Sequence, residues 1–246
     1  MLTVLLTVAA LAHPGADERL IPEGCEDVAQ LFRRSAALSA ESRLDEAEQE
    51  MHRAARCGAD PDEVNLTLAE IAVQDARPSW ALSLLEKIAS ADHPAAQVVR
   101  SDALAAMGQP SEAADARLLA IVQMDYAAPD LLMRTAQLLE TADRLPEALA
   151  VVDEGLAMAP AASLQVEAIR LAVLLNPERA LARLYQLPET AMWMQRRGEI
   201  LSDLNRHDEA RDALKAALEL AENARSSRAQ REQIATLTLA IEGLKR

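Results

Sequence analysis

The 246-residue sequence predicts an all-α protein, an α-solenoid of about six helix pairs with a capping helix at its C-terminal end. Three observations support this prediction: the composition, a stretch of sequence that recurs every 30 to 35 residues, and prolines at half that interval. Half of the residues are hydrophobic, yet only two Trp, two Tyr and one Phe occur. Most of the other hydrophobic residues are Ala and Leu, which have the most favourable helix propensities. No Val-, Ile- and Thr-rich run is bounded by hairpin turns.

The recurring stretch reads RLPEALAVVDEGLAMAP at 144–160 and NRHDEARDALKAALELAEN at 205–223. One alanine aligns in every copy: Ala47, Ala81, Ala113, Ala148, Ala180 and Ala210. A unit of this length forms a helix–turn–helix whose apolar stripe cannot be buried within the unit. Neighbouring units must therefore stack on one another.

Nine of the eleven prolines recur at about half the repeat length, mostly 14 to 19 residues apart. They are at positions 61, 78, 94, 110, 129, 146, 160, 177 and 188. Proline is tolerated at the first position of a helix and breaks a helix interior. Asp60 before Pro61 and Asn176 before Pro177 are suitable capping residues, and Glu63 could complete a capping box. We therefore expect a helix start at each proline and two helices of about 12 to 15 residues in each unit.

The last unit resembles the tetratricopeptide repeat, a 34-residue helix–turn–helix. Gly198 stands at the family's small packing position, Leu201 at its aromatic position, and Ala210, Leu214 and Ala217 match its small–bulky–small ladder. The unit at 130–160 matches through Ala136, Leu139, Ala148, Val152, Gly155 and Pro160. The resemblance covers 26–222 and implies a right-handed α-solenoid of TPR-like helix pairs. The family's Trp and Tyr positions are mostly Leu, Met or Ala here, so Sel1-like helical repeats remain an alternative.

The two ends of the chain differ from the repeats. At 223–246, Ile234, Leu237, Ile241 and Leu244 form one apolar stripe with a polar, net basic opposite face. This pattern predicts a helix that caps the array, and a basic partner-binding helix is the alternative. Residues 1–16 contain no Lys, Arg, Asp or Glu, and the uncharged run 2–12 is shorter than the about 20 residues that span a bilayer.

Residues 1–16 therefore predict a signal peptide, with Ala10-Leu11-Ala12 as the small-x-small cleavage pattern, although no basic residue follows Met1. The expected location is the bacterial periplasm or the exterior, and the cytoplasm is the alternative. Helices at about 26–40 and 43–57 would bring Cys25 and Cys57 together, so we expect a disulfide. The alternative is two unrelated buried thiols.

Signals of catalysis or of cofactor binding are weak. The four histidines are isolated from one another, and His207 is expected in the turn of the last unit. No phosphate-binding loop, zinc motif or nucleophile elbow occurs. Adjacent acids such as Asp45-Glu46 and Asp208-Glu209 fall at second-helix starts, where they favour the helix dipole. We therefore expect no enzyme, no cofactor and no metal site. The net charge of −14 argues against nucleic acid and against anionic lipid as partners.

The resemblance implies a concave groove lined by two positions, four apart, on each first helix. The candidate residues of this groove are Phe32, Leu66, Glu70, Val98, Asp102, Met133, Gln137, Gln195 and Glu199. The same positions also hold Ala36, Gln165 and Ile169, and none carries the Lys and Asn with which chaperone-tail receptors hold a carboxylate. Arg33, Arg134 and Arg196 lie one position further along and could steer an acidic segment instead.

An apolar floor with scattered acids suits an extended or helical segment that has apolar anchors and some positive charge. The expected function is therefore a non-catalytic protein-interaction scaffold that holds a peptide segment or a subunit in this groove. Two alternatives remain open. The groove positions could be ordinary exposed residues of an array, or the protein could be a structural or assembly factor of a cell-envelope complex. Such a factor would act through the array edges or by self-association.

Overall fold

The computed structural model describes residues 25, 27–90, 92–124, 126, 128–223 and 228–244, and within these it contains thirteen α-helices and no strand. The expected signal peptide at 1–16 lies outside these residues. The chain divides near residue 125 into two compact units, the first with α1–α6 and the second with α7–α13. The helices are α1 Val28–Ala40, α2 Leu44–Arg56, α3 Pro61–Gln74, α4 Pro78–Leu85, α5 Pro94–Ala106, α6 Pro110–Gln123, α7 Pro129–Thr141, α8 Leu145–Met158, α9 Ala162–Leu175, α10 Pro177–Leu184, α11 Ala191–Asp203, α12 His207–Asn223 and α13 Arg228–Gly243.

Consecutive helices form hairpins, three in each unit, and α13 follows the last hairpin. Within each unit the second helix of one hairpin packs on the first helix of the next, and the first helices of α3/α4 and α5/α6 also touch. The prediction of an all-α array of six helix pairs is confirmed. Among the described residues no helix is both long and apolar enough to cross a bilayer.

The aligned alanines explain why the hairpins repeat. Each is the fourth residue of a second helix, and all six are completely buried: Ala47, Ala81, Ala113, Ala148, Ala180 and Ala210. Twelve residues earlier, every first helix carries a buried small residue: Ser35, Ala69, Ser101, Ala136, Ala168 and Gly198. In the first hairpin the Ser35 hydroxyl donates a hydrogen bond of 3.0 Å to the Ala47 carbonyl. Small residues at both places let the two backbones approach closely.

A bulky buried residue follows each alanine by four positions: Met51, Leu85, Arg117, Val152, Leu184 and Leu214. Three positions further, the four longer second helices carry a small residue, at Ala54, Ala120, Gly155 and Ala217. The other two hairpins carry Ile88 and Leu187 there, and their second helices, α4 and α10, end after only 8 residues. The expected length of 12 to 15 residues is therefore wrong for these two helices. A bulky side chain at this place accompanies the end of the helix.

Most prolines begin helices as expected. Six of the nine are the first residue of a helix, and Pro146 is the second residue of α8. Pro160 and Pro188 depart from the expectation, because they precede α9 and α11 by two and three residues. The side chain of Asp60 caps α3 and that of Asn176 caps α10, as the sequence predicts. His207 is the first residue of α12 and does not lie in the preceding turn.

Five of the six hairpins share one turn. The residue five before each aligned alanine has positive φ: Ser42, Ala76, Gly108, Asp143 and Asn205. The backbone N–H of the residue that follows donates a hydrogen bond to the carbonyl five residues before it. The bond from Arg77 to Ala72, of 2.8 Å, is an example, and this arrangement is the Schellman motif that ends helices. In three turns the arginine at this place pairs with a glutamate three residues on: Arg43–Glu46, Arg144–Glu147 and Arg206–Glu209. The hairpin of α9 and α10 lacks the left-handed residue, and Asn176 joins the two helices directly.

Both ends of the described chain are held to their neighbouring hairpins. The structure contains the predicted disulfide, with the Cα atoms of Cys25 and Cys57 5.5 Å apart, and it closes the open end of the first hairpin. At the other end, Leu237 and Ile241 of α13 pack in a cluster with Met194, Leu214 and Ala217. The apolar stripe of α13 therefore faces the preceding hairpin, which is the packing expected of a capping helix.

Candidate functional site

All nine candidate groove residues lie on first helices, and none of them is fully buried. In the first unit, Phe32 and Leu66 are half-buried and pack against the core of that unit. Val98 on α5 is also half-buried. Of the related positions outside the candidate set, Ile169 is buried and so cannot contact a partner. The first unit thus presents three partly exposed apolar side chains on successive first helices.

Two candidate acids of the first unit lie close enough to influence one another. Glu70 on α3 has its pKa raised to about 7, mainly because protein atoms surround its carboxyl group and also because Asp102 on α5 is negatively charged. Glu70 retains solvent-exposed surface. The raised pKa therefore reflects crowding by the neighbouring helices, which displaces part of the water around the carboxyl group, and not complete exclusion of water.

Asp102 is held by an arginine from the second helix of its own hairpin. The guanidinium of Arg117 on α6 is almost completely buried, and it pairs with the Asp102 carboxylate and donates a hydrogen bond of 3.1 Å to the Ser101 hydroxyl. Arg117 stands at the bulky ladder position that is apolar in the other five hairpins. The first unit therefore joins Glu70, Asp102 and Arg117 into one charged cluster beside Leu66 and Val98.

The candidate residues of the second unit make different contacts. Met133 on α7 is half-buried and Gln137 is exposed. On α11, Glu199 accepts hydrogen bonds from Gln195 at 3.1 Å and from Arg196 at 2.8 Å. Gln195 in turn accepts a hydrogen bond of 3.1 Å from Gln233 of α13. The polar groups of Gln195 and Glu199 are thus engaged within the protein.

A second charged cluster lies on α7 and α9. The Arg170 guanidinium donates to Glu167 of its own helix at 2.7 and 2.9 Å and to Glu140 of α7 at 2.9 Å. This pairing holds the pKa of Glu140 below its ordinary value. Arg170 pairs with both carboxylates and so links the two first helices, which stabilises the packing of the hairpins.

Arg117 is not among the residues predicted from the sequence. In the sequence, Arg117 could have been recognised as an arginine four residues after the aligned Ala113, where the other hairpins have a bulky apolar residue. An acid, Asp102, precedes it by 15 residues. The pairing depends on the hairpin geometry that brings Asp102 and Arg117 together. Within the described part of the chain, no three His, Cys, Asp or Glu side chains form a group that could hold a metal ion.

Comparison with family models and with curated protein sequences finds no match. Solved structures of similar fold do exist. One is pilF of Pseudomonas aeruginosa, with a TM-score of 0.52 and 12% identity over 86% of this chain and 96% of that chain. Another is a tetratricopeptide repeat protein from Parabacteroides merdae ATCC 43184, with a TM-score of 0.48 and 15% identity over 88% of this chain and 86% of that chain.

At these identities the similarity concerns the fold alone. The repeated hairpins and their small–bulky ladder agree with it. The chain has a TPR-like, all-α solenoid fold.

Proposed function

We propose that the protein is a non-catalytic protein-interaction scaffold that binds a peptide segment or a subunit on its first-helix face. One observation carries the proposal. In the first unit, half-buried Leu66 and Val98 lie on adjacent first helices beside Glu70, which pairs with no cation among the described residues, and beside Asp102, which pairs with Arg117. Partly exposed apolar side chains beside carboxylates favour a segment with apolar anchors and at least one Lys or Arg.

The charge of the protein supports the same class of partner. The net charge of −14 gives a negative potential that accelerates encounter with a positively charged segment. The ionisation of Glu70 would add to this attraction as the pH rises through about 7. Apolar contacts with Phe32, Leu66 and Val98 would then contribute to affinity once the segment has docked.

Selection of peptides from a displayed random library tests the proposal. The wild-type protein should enrich sequences that combine apolar residues with Lys or Arg. The double variant Leu66→Glu/Val98→Glu should bind the enriched peptides at least about tenfold more weakly, because each charge would be placed beside an apolar anchor.

The matched control places the same charges on a second helix. Leu119 and Val122 of α6 are 55% and 56% exposed, so Leu119→Glu/Val122→Glu tests whether new negative charge alone affects binding. This control should bind the peptides as the wild type does. Equal loss in both variants, or enrichment of acidic peptides by the wild type, would contradict the proposal and favour the array edges as the binding surface.

We further propose that the protein acts outside the cytoplasm, in the bacterial periplasm or beyond it. The Cys25–Cys57 disulfide supports this location, since disulfides persist in oxidising compartments. The uncharged run at 2–12 is of signal-peptide length. Sequencing the N-terminus of the protein isolated from its native cells tests the proposal: a start beyond residue 12 is expected, and an intact Met1 on soluble protein would contradict export.

A further inference from the structure

A cleft in the second unit is lined by none of the candidate groove residues. It occupies about 370 Å³ between α8 and α10, over the C-terminal end of α9. The apolar part of its lining consists of Leu149, Ala172, Leu175 and Ala182. The volume is at the lower end of the range typical of ligand pockets and is enough for one aliphatic side chain with its backbone.

The irregular fifth hairpin produces this cleft. Helix α10 is 8 residues long, against 14 residues for α8, and Asn176 joins it to α9 without the left-handed turn of the other hairpins. The end of α9 is therefore left partly uncovered, and Leu175 is 37% exposed. Ala182 on α10 is exposed as well, so small side chains leave the space open.

The rim of the cleft carries two positively charged side chains, Arg179 and Arg183, and one negatively charged side chain, Asp153. Arg183 and Asp153 form a two-point ion pair between α10 and α8, with one N–O distance of 2.7 Å. Glu178, the acid next to Arg179, does not line the cleft, and it shares Arg206, at 3.4 Å, with Glu209. The exposed side chain of Arg179 lines the cleft and forms no ion pair or hydrogen bond with any residue that the structure describes. The rim thus carries one uncompensated positive charge, although the protein as a whole is strongly acidic.

We propose that this cleft binds a segment of a partner protein in which an aliphatic side chain is followed by a carboxylate. The aliphatic group fills the space over Ala172 between Leu149 and Leu175, and the carboxylate pairs with Arg179. Charge complementarity selects this occupant, because Arg179 is the unpaired charge at the rim and guanidinium groups pair readily with carboxylates. This second surface is built from α8, α9 and α10 and includes none of the residues of the proposed first-helix site.

Methyl NMR of the full chain, labelled with ¹³C at Leu and Ala methyl groups, tests the proposal with two small probes. The probes are N-acetyl-leucyl-aspartyl amide and its neutral isostere N-acetyl-leucyl-asparaginyl amide. The aspartyl probe should shift the methyl signals of Leu149, Ala172 and Leu175 in a saturable manner, with a Kd of about 1 to 10 mM. The asparaginyl probe should bind about fivefold more weakly, since it lacks the charge that pairs with Arg179.

Three variants sharpen the test. Arg179→Gln should abolish the difference between the probes, and Ala182→Phe should block both, because it fills the cleft from an exposed position. Arg56→Gln removes one charge from an exposed side chain of the first unit, and it should leave both affinities unchanged.

The proposal is overturned by equal binding of the two probes, by an unchanged preference in Arg179→Gln, or by the absence of saturable shifts up to about 20 mM. Shifts of the same methyl signals with protein concentration alone would assign the cleft to a second copy of this chain and would also overturn it. None of these outcomes depends on peptide binding by the first-helix face.

Discussion

A β-carbon placed on Gly198 would lie 2.6 Å from Cγ of Leu214, so these two residues determine how closely α11 and α12 pack. The substitution Gly198→Ala should lower the free energy of unfolding by about 1–3 kcal/mol, because Leu214 or the helix must shift. Gly243→Ala is the matched control, since its added β-carbon would lie more than 4 Å from every described atom outside its chain neighbours and the nearby backbone of its own helix. Urea denaturation followed by circular dichroism measures both, and equal stability of the two variants would contradict the packing argument.

The buried Arg117 should be replaceable more easily than its partner. Arg117→Leu restores the residue type of the other ladder positions and should change stability by less than about 1 kcal/mol in either direction. Asp102→Ala should cost about 1–3 kcal/mol, because it removes the carboxylate from a buried guanidinium. The double variant should be more stable than Asp102→Ala alone. Chemical denaturation of the wild type and the three variants forms a double-mutant cycle. If the stability changes of the two single variants add up to that of the double variant, Arg117 and Asp102 are not coupled.

The pKa of Glu70 makes stability depend on pH in a defined direction. Its carboxyl group has a pKa of about 7 in the folded protein, against an ordinary value of 4.5. Between these values the folded protein retains a proton that the unfolded chain has released, so this group's contribution to stability falls as the pH rises through the window. Glu70→Gln should remove that slope, which unfolding at pH 5 and at pH 8 would show.

Carboxyl ¹³C NMR offers a direct measurement of the same group. The Glu70 signal should titrate with a midpoint near 7 in the wild type and at a lower pH in Asp102→Asn, where the neighbouring charge is absent. A wild-type midpoint in the ordinary range for glutamate would show that the crowding of α3 and α5 around this carboxyl group has no electrostatic effect.

The disulfide should stabilise the first hairpin specifically. It closes a loop of 32 residues, and the chain-entropy estimate for such a loop is about 3–4 kcal/mol. Only two residues of α1, Leu31 and Ser35, are fully buried, although Phe32 and Leu38 also pack against the core. After reduction, amide hydrogen exchange should accelerate in α1 and α2 and stay unchanged in α11 and α12. Uniform acceleration in all four helices would contradict a local role.

The shared turn predicts opposite effects for two exchanges. Ala76 has φ of +53°, where a β-carbon is unfavourable, and Gly108 occupies the equivalent place with φ of +75°. Ala76→Gly should stabilise the protein by about 0.5–1 kcal/mol, and Gly108→Ala should destabilise it by a similar amount. Thermal unfolding measures both, and changes of the same sign would show that backbone strain does not dominate at this turn.

The repeat and its buried alanines were predictable because packing of identical hairpins requires a small residue at a fixed interval. That interval is visible in the sequence without any knowledge of contacts. The two short helices were not predicted, since at the aligned place their sequences differ from those of the other hairpins by one residue each, the bulky Ile88 and Leu187, where the others have Ala or Gly. Hydrophobic character alone does not distinguish a side chain that continues a helix from one that follows its end.

The candidate site was predictable only in part. Positions on the first helices can be counted from the aligned alanines, and the structure places all nine candidates at least partly at the surface. The raised pKa of Glu70 depends mainly on the protein atoms around its carboxyl group and also on Asp102, which is 32 residues further along the chain and belongs to the next hairpin. The cleft beside Arg179 results from a missing turn residue, and its existence could be recognised only from the arrangement of three helices.

The pairing of Arg117 with Asp102 restricts the order in which mutations can accumulate. A lineage that first replaces the arginine with leucine keeps a filled core and a half-exposed aspartate that water can solvate. A lineage that first loses the aspartate passes through an intermediate whose buried guanidinium has lost this carboxylate. The two routes reach the same end point, but selection for folding would block the second far more often than the first.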